Sequence, residues 1–336
     1  MMDNYTQTSV KLIDIIDNVQ VRNVITGVNG QDGRILRSIL EGLGEEVFGI
    51  SRARTMATSN NYAIPARVDI TNKDEFGQFL DLVKPKRIFH LAASHASSAE
   101  MSSHGEKNNQ EMIEVHAEAT RYLLEWQRKN ITLQTHSVIA LSSQLYSSES
   151  TLIEVNEESP IKPASKYGET KKMALEFIRS YRDNFAVISS GAILFNHSSI
   201  YSKPNFVLQN LAMQIAQSIM GKINVIKLRD FNAILDVSDA NDICRGLNKM
   251  ARMSEGSEYI LSSGRGTNLR DLATKCLVHY RLEENTKLVS TQDEKFNQSV
   301  LIGNPEKARI LLKWEPSVNQ LDLLINLVEN QLVRNS

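Results

Sequence analysis

The chain reads as an α/β protein, with a doubly wound parallel sheet covered by helices on both faces and a smaller C-terminal α/β cap. Three observations predict this. Short apolar runs alternate with segments of ten or more residues at helical spacing, the pattern of parallel strands joined by crossover helices. The first run leads straight into three closely spaced glycines. After Phe195 the alternation loses its regularity, which suggests a second, smaller unit.

Taken in order, residues 23–26 form a short buried strand, 35–43 a helix, 46–50 (EVFGI) a strand, 73–82 a helix and 87–92 a strand. A long helix follows around 111–126, then a strand at 137–141, a helix at 166–181 and a strand at 186–194. Helices near 205–220 and 269–280 belong to the cap. Ahead of the first strand, Val10, Ile13, Ile16 and Val19 recur at helical spacing and predict a short amphipathic helix. The expected organisation is an N-terminal extension over 1–20, a main sheet domain over 21–195, and a cap over 196–336 of which about 231–265 returns to the main domain.

Composition narrows the function. The 336 residues are 41% hydrophobic and 23% charged, ordinary for a globular enzyme. With 38 basic and 39 acidic residues the formal charge is -1, so the basic excess that nucleic-acid binding needs is absent. Cys244 and Cys276 are too few and too far apart for a disulfide framework or a metal knuckle, which fits a reducing cytoplasm and no metal. No run approaches the ~20 apolar residues that span a bilayer. The first twenty residues lack the basic start and apolar core of a signal peptide.

The stretch VITGVNGQDGR places Gly27, Gly30 and Gly33 between a strand and a helix. Glycines there let the backbone turn tightly, approach a pyrophosphate closely and pack the helix on the sheet, while the helix N-terminus faces the anion. The next strand ends in Arg52 and Arg54, where a cofactor ribose is expected. Arginine suits a 2'-phosphate, so the cofactor is expected to be NADP rather than NAD. Asp69, closing RVDIT, either accepts from an adenine amino group or caps the following helix.

SKYGETKK sets Tyr167 and Lys171 four residues apart, hence on one helix face. An ammonium beside a phenol favours the phenolate, so Tyr167 is expected to exchange a proton with a sugar hydroxyl near neutral pH. LSSQLY, at the end of the 137–141 strand, adds two hydroxyls and an amide.

Together with LAASHASS, GAILFNHSS, NFVLQN, LRDFNAILDVSDA and NPEKARILLKWEP, these motifs run in order from Arg22 to Glu315. The chain resembles the extended short-chain dehydrogenase/reductases with a Rossmann sheet, and most of all the GDP-mannose 4,6-dehydratase family. The resemblance implies tightly bound NADP, a nucleotide sugar under the cap, and a homodimer or homotetramer. It implies Tyr167 as base at the C4 hydroxyl, Lys171 on the nicotinamide ribose, and Ser142 on the reacting oxygen. Gln31, Asp32, Ile70, Leu91, Ala92, Ala93 and His197 join the implied cofactor site; for His197 a purely structural role is the alternative. Ser94, His95, Ser143, Asn196 and Asn205 line the implied substrate site, with Arg229 at the diphosphate.

The chain departs from that family at telling places. Where the dehydratases carry a glutamate in LSSQLY, this chain has Gln144, and an amide cannot serve as the base that removes the C5 proton. ESP is replaced by Ser198-Ser199-Ile200, a phosphate-binding lysine by Asn210, and an expected arginine is either replaced by Asn297 or displaced. Hydride transfer at hexose C4 needs no such carboxylate, so a 4-keto reductase or epimerase is favoured over a 4,6-dehydratase. His95 or a glutamate of the 154–158 loop is the candidate replacement base, and a non-catalytic NADP-binding sensor or scaffold is the alternative of another class.

Overall fold

A computed structural model describes residues 21–58, 64–94, 105–146, 152–291 and 300–335. The expected N-terminal helix, His95 and Asn297 lie outside the described residues. β1 (Arg22–Thr26) sits near the middle of a seven-stranded sheet, with β2 (Glu46–Ile50) and the short β3 (Thr55–Ala57) on one side. On the other side come β4 (Arg87–His90), β5 (His136–Ser142), β7 (Ser189–Leu194) and β11 (Glu258–Leu261). Every pair is parallel except β2–β3.

Successive strand residues face opposite sides of a sheet, and here both sides are buried. Val24, Phe48, Ile88, Ile139 and Ile193 join one core, covered by α2 (Lys73–Val83), α4 (Ala119–Lys129) and α5 (Lys166–Phe185). Their neighbours Ile25, Val47, Phe89, Val138 and Ala192 join the other, covered by α1 (Gln31–Gly42), α7 (Ala240–Met250) and α9 (Glu306–Leu312). Each Val, Ile or Phe among them gains roughly 1.5–3 kcal/mol on full burial, so packing rather than strand propensity fixes these four- to seven-residue strands.

The chain leaves β1 for β2 on one side and crosses back to β4 on the other. This switch point opens a crevice at the carboxyl ends of β1 and β4, where residues 27–33 and 91–94 lie. The helix expected over 111–126 is longer and not uniform. It begins as α3 (Gly105–Met112), widens into a π turn over Ile113–Glu118, and continues as α4.

A third core, including Leu211, Ile215, Phe231, Leu272, Leu324 and Val328, belongs to the cap. It is built from α6 (Val207–Ile219), α8 (Leu269–His279), α10 (Gln320–Asn335) and the parallel pair β9 (Val225–Leu228) with β13 (Lys287–Ser290). β8 (Asn196–Ser198), β10 (Ile234–Asp239) and β12 (Gly266–Asn268) make a three-stranded sheet, and β6 (Leu152–Val155) pairs with β14 (Val300–Gly303). Of the segment 231–265, α7 and β11 rejoin the main sheet and its core, whereas β10 stays with β8 and β12. Buried Asp236 on β10 accepts from the Ser263 amide at 2.9 Å and the Gly303 amide at 3.0 Å, fastening that small sheet to its neighbours. Among the described residues no helix is long and apolar enough to cross a membrane.

Candidate active site

The glycine turn after β1 has the geometry the sequence requires. Gly27 has φ +76°, and a Cβ there would lie 2.9 Å from the Ala92 nitrogen, so only glycine fits between the two crevice loops. A Cβ on Gly33 would lie 2.6 Å from the Val28 Cα, so this glycine lets α1 pack on the turn. Gly30 occupies the N-cap of α1 and supplies no side chain to the first-turn amides. The turn is a cradle for an anion, and a dinucleotide pyrophosphate fits it.

Asp32, in the first turn of α1, is paired across the crevice with His197 on β8, with Nε2 3.0 Å from one carboxylate oxygen. His197 Nδ1 is 2.7 Å from the Phe195 carbonyl, so both ring nitrogens donate. Burial alone would lower the His197 pKa, but the Asp32 carboxylate and the Phe195 carbonyl outweigh it and push the pKa up to about 9. Gln31 joins the same clasp, accepting from Ser199 at 3.0 Å and from Ser202. The three residues therefore tie the dinucleotide helix to the cap.

Beyond the carboxyl end of β2, the Arg52 side chain is 95% exposed and its Nη1 is 3.9 Å from Glu111, a contact too long and too solvated to hold it away from a phosphate. Asp69 does not cap α2. Its Oδ1 takes the Thr71 amide at 2.9 Å and the Thr71 hydroxyl at 2.7 Å, while Asn72 caps the helix through the Asp74 and Glu75 amides. Asp69 is exposed, and Ile70 packs half-buried on the core. Leu91, Ala92, Ala93 and Ser94 line the loop after β4; the Ala92 amide donates to Thr26 Oγ1 at 3.2 Å and the Ser94 hydroxyl to Glu111 at 3.1 Å.

Tyr167 and Lys171 stand on the first turns of α5. Ser165 caps this helix by accepting the Gly168 amide at 3.0 Å. Lys171 is 3% exposed; its Nζ donates to the Ala140 carbonyl at 2.8 Å and lies 5.6 Å from the centre of the Tyr167 ring. Burial pushes the Lys171 pKa down to about 7. The expected lowering of the Tyr167 pKa is not what this environment produces. Burial pushes the phenol up and the nearby Asp32 charge adds to it.

The LSSQLY segment forms the end of β5 and a single 3-10 turn over Ser143–Leu145. Ser142 Oγ accepts the Gln144 amide at 3.2 Å, which leaves its own proton to donate. The exposed Gln144 side chain accepts the Ser165 hydroxyl at 2.6 Å, so it leans on the cap of the very helix that carries Tyr167. Close packing explains why: a Cβ on Gly168 would strike the Gln144 carbonyl. Ser143 is half-buried in the turn.

The candidate cap residues lie at the surface. Asn196, Asn205 and Arg229 are exposed, and Asn210 accepts from Gln214, which also bonds Lys227 on β9. In the 154–158 loop, Glu157 is buried on the Ile260 amide at 2.7 Å and Glu154 takes the Asn304 amide group at 2.8 Å; both serve the joint between β6, β11 and β14. Three residues that motif reading missed stand close to Tyr167: Ser165, His116 and Thr170. The serine had a visible signal as a helix N-cap, whereas His116 and Thr170 sit inside helices with none.

Comparison with known proteins identifies the family. Residues 24–326 match the family model for GDP-mannose 4,6 dehydratase. The chain is 26% identical to human GDP-mannose 4,6 dehydratase, covering 88% of each, and 26% identical to GDP-mannose 4,6 dehydratase 2 of Arabidopsis thaliana, covering 92% of this chain and 86% of that one. It is also 26% identical to the GDP-mannose 4,6-dehydratase sdnI of Sordaria araneosa, of which it spans only 60%. In fold it is similar to RMD from Pseudomonas aeruginosa complexed with NADPH, with a TM-score of 0.78 at 19% identity over 94% of this chain and 100% of that one. UDP-glucose 4-epimerase from Thermotoga maritima gives a TM-score of 0.74 at 17% identity, over 94% and 99% of the two chains. A glycine cradle at the sheet's switch point, a buried Tyr–Lys helix beside it, and a family match over nearly the whole length lead to one conclusion: the chain belongs to the GDP-mannose 4,6-dehydratase family, among the NAD(P)-dependent enzymes of the extended short-chain dehydrogenase/reductase class.

Proposed function

We propose that the protein is an NADP-dependent reductase acting on the C4 carbonyl of a hexose attached to a nucleotide. The observation that carries this reading is Gln144. It stands in the turn between Ser142 and the Tyr167 helix, and its amide has no basic form with which to take the C5 proton that dehydration requires.

The raised pKa of Tyr167 supports the same direction of chemistry. The raised pKa keeps Tyr167 protonated at neutral pH, the form that can donate to a carbonyl oxygen as it turns into an alkoxide and the wrong form to begin by removing a proton. A bound nicotinamide supplies the hydride. The chain does the rest: Ser142 donates a hydrogen bond to the C4 oxygen, Tyr167 delivers the proton to it, and Lys171, fixed on the Ala140 carbonyl, backs the phenol. Gly27, Gly30 and Gly33 hold the pyrophosphate. Arg52 reaches the 2'-phosphate, which favours NADP over NAD. The substrate lies between the crevice and the cap, with Arg229 toward its diphosphate.

The test is NADPH consumption by the purified protein with nucleotide-linked 4-keto-6-deoxyhexoses, the products read by mass spectrometry. The expected product gains two hydrogens. Loss of one water from GDP-mannose in the presence of NADP, with no ketone reduced, would instead make it a dehydratase with its base elsewhere. Tight NADP binding without turnover of either substrate class would favour a sensor.

A further inference from the structure

A chain of buried hydrogen bonds lies behind Tyr167, and the proton transfer just described makes no use of it. At its centre is His116, 1% exposed, in the π turn that interrupts the long helix after β4. π turns are rare and recur at functional sites, because the extra residue re-aims a side chain that a regular helix would point elsewhere. The Ser94 amide donates to His116 Nε2 at 3.0 Å. An amide N–H cannot accept, so Nε2 carries the lone pair and the ring proton is on Nδ1. Nδ1 is 2.8 Å from Thr170 Oγ1, and the Thr170 hydroxyl donates onward to the Tyr167 carbonyl at 2.8 Å. The imidazole also meets the Tyr167 ring edge to face, with centroids 5.1 Å apart and planes at 80°.

The same π turn is held from its other side. His90 Nε2 is 3.3 Å from the Val115 carbonyl, and its Nδ1 is 2.9 Å from the Thr26 hydroxyl, which itself accepts the Ala92 amide. Burial and the neighbouring Lys171 push the His90 pKa down to about 4, so the ring is neutral and donates through Nε2. One turn of helix thus links the dinucleotide strand, the crevice loop after β4, and the catalytic helix.

We infer that His116 is a positioning residue for proton transfer, fixing the Tyr167 ring against Lys171 and against the loop that carries Ser94. This inference rests on the reductase reading for its kinetic test but not for its spectroscopic one. An error of about 1 Å in the placement of a reacting group costs on the order of a hundredfold in rate, so a ring held on three sides has a direct use.

Three variants separate positioning from mere packing. His116→Phe keeps ring volume and the edge contact but removes both hydrogen bonds; His116→Gln offers a donor and an acceptor again; Thr170→Val breaks the link at constant shape. In the full chain loaded with NADPH, His116→Phe and Thr170→Val are expected to lower kcat about 10- to 100-fold, with KM and the NADPH Kd changed less than about threefold, and His116→Gln to recover most of the loss. Unchanged kcat in the first two variants would overturn the inference. So would a kcat that falls only in proportion to the folded, NADPH-binding fraction, since that is a structural role. The second readout needs no substrate: the ring carbon resonances of labelled Tyr167, assigned by their loss in Tyr167→Phe, should move in His116→Phe and return with His116→Gln. Spectra superimposable on wild type would overturn the inference even if the protein reduced no ketone at all, whereas moved resonances with no turnover would leave His116 in place and remove only the reductase reading.

Discussion

The main sheet and the cap present their candidate site residues differently. On the sheet side the chemical groups are buried and fastened: Lys171 sits on the Ala140 carbonyl, Asp32 on His197, and Gly27 against Ala92. On the cap side, Asn196, Asn205 and Arg229 are exposed, and the cap has a separate core of its own. The difference teaches that, under the proposed reading, cofactor and proton handling draw on groups locked into the main sheet, whereas the choice of sugar nucleotide falls to side chains at the cap surface. Such a division lets one scaffold serve several substrates.

If that contrast is right, the largest effects come from the sheet side. Tyr167→Phe removes the only proton the phenol can give and should lower kcat by about 10²–10⁴-fold while the NADPH Kd, read by nucleotide fluorescence, stays within about threefold. Parallel loss of binding and rate would mean that the tyrosine holds the site together instead.

Next comes the Asp32–His197 clasp, whose signature is in pH. Its pKa is raised from 6.5 to about 9, so the folded state binds the proton more tightly than the unfolded chain. The stabilisation is full below about pH 6.5 and is lost as pH rises through 9, a difference of about 3 kcal/mol. Lys171, lowered from 10.5 to about 7, acts in the opposite sense over an overlapping window. Denaturant unfolding should therefore be compared between wild type and Asp32→Asn, the gap being large near pH 6 and small near pH 9.5. A gap that is constant with pH would show that the pair carries no charge.

Smaller effects follow toward the ligand-facing surface. Arg52→Ala should cut the preference for NADP over NAD by about 10- to 100-fold, the worth of one charged hydrogen bond to phosphate, with Tm unchanged. Equal losses with both cofactors would place Arg52 elsewhere on the ligand. Asn205→Ala, the mildest, should raise the sugar KM by about 2- to 10-fold and leave Tm and the NADPH Kd alone. A fall in Tm would show that Asn205 serves the packing of the cap instead.

What the sequence disclosed follows the same division. Strands buried on both faces are unbroken apolar runs, so the strand expected at 46–50 coincides with β2, and the glycines announce their own turn. Strands of three residues, as in β8 and β12, carry too few positions for a period to show. The π turn is silent because EVHAEAT reads as ordinary helix, and with it His116 was hidden among apolar neighbours. Asp69 and Asn72 are equally good caps on paper; only the backbone path decides for Asn72. The sign of the Tyr167 shift was missed because spacing shows a neighbouring charge but not the desolvation of both partners. Gln144 was legible as a departure, since an amide is an amide in any fold.

The measurement that tests the central claim most directly follows the hydride. With NADPH carrying deuterium at the transferable position and a nucleotide-linked 4-keto-6-deoxyhexose, the account predicts one NADPH consumed per turnover and deuterium at C4 of the product by NMR. With GDP-mannose and NADP it predicts unchanged sugar. Conversion of GDP-mannose to a 4-keto-6-deoxy product with no net use of cofactor, hydride having moved within the sugar from C4 to C6, would contradict it and require a C5 base other than Gln144.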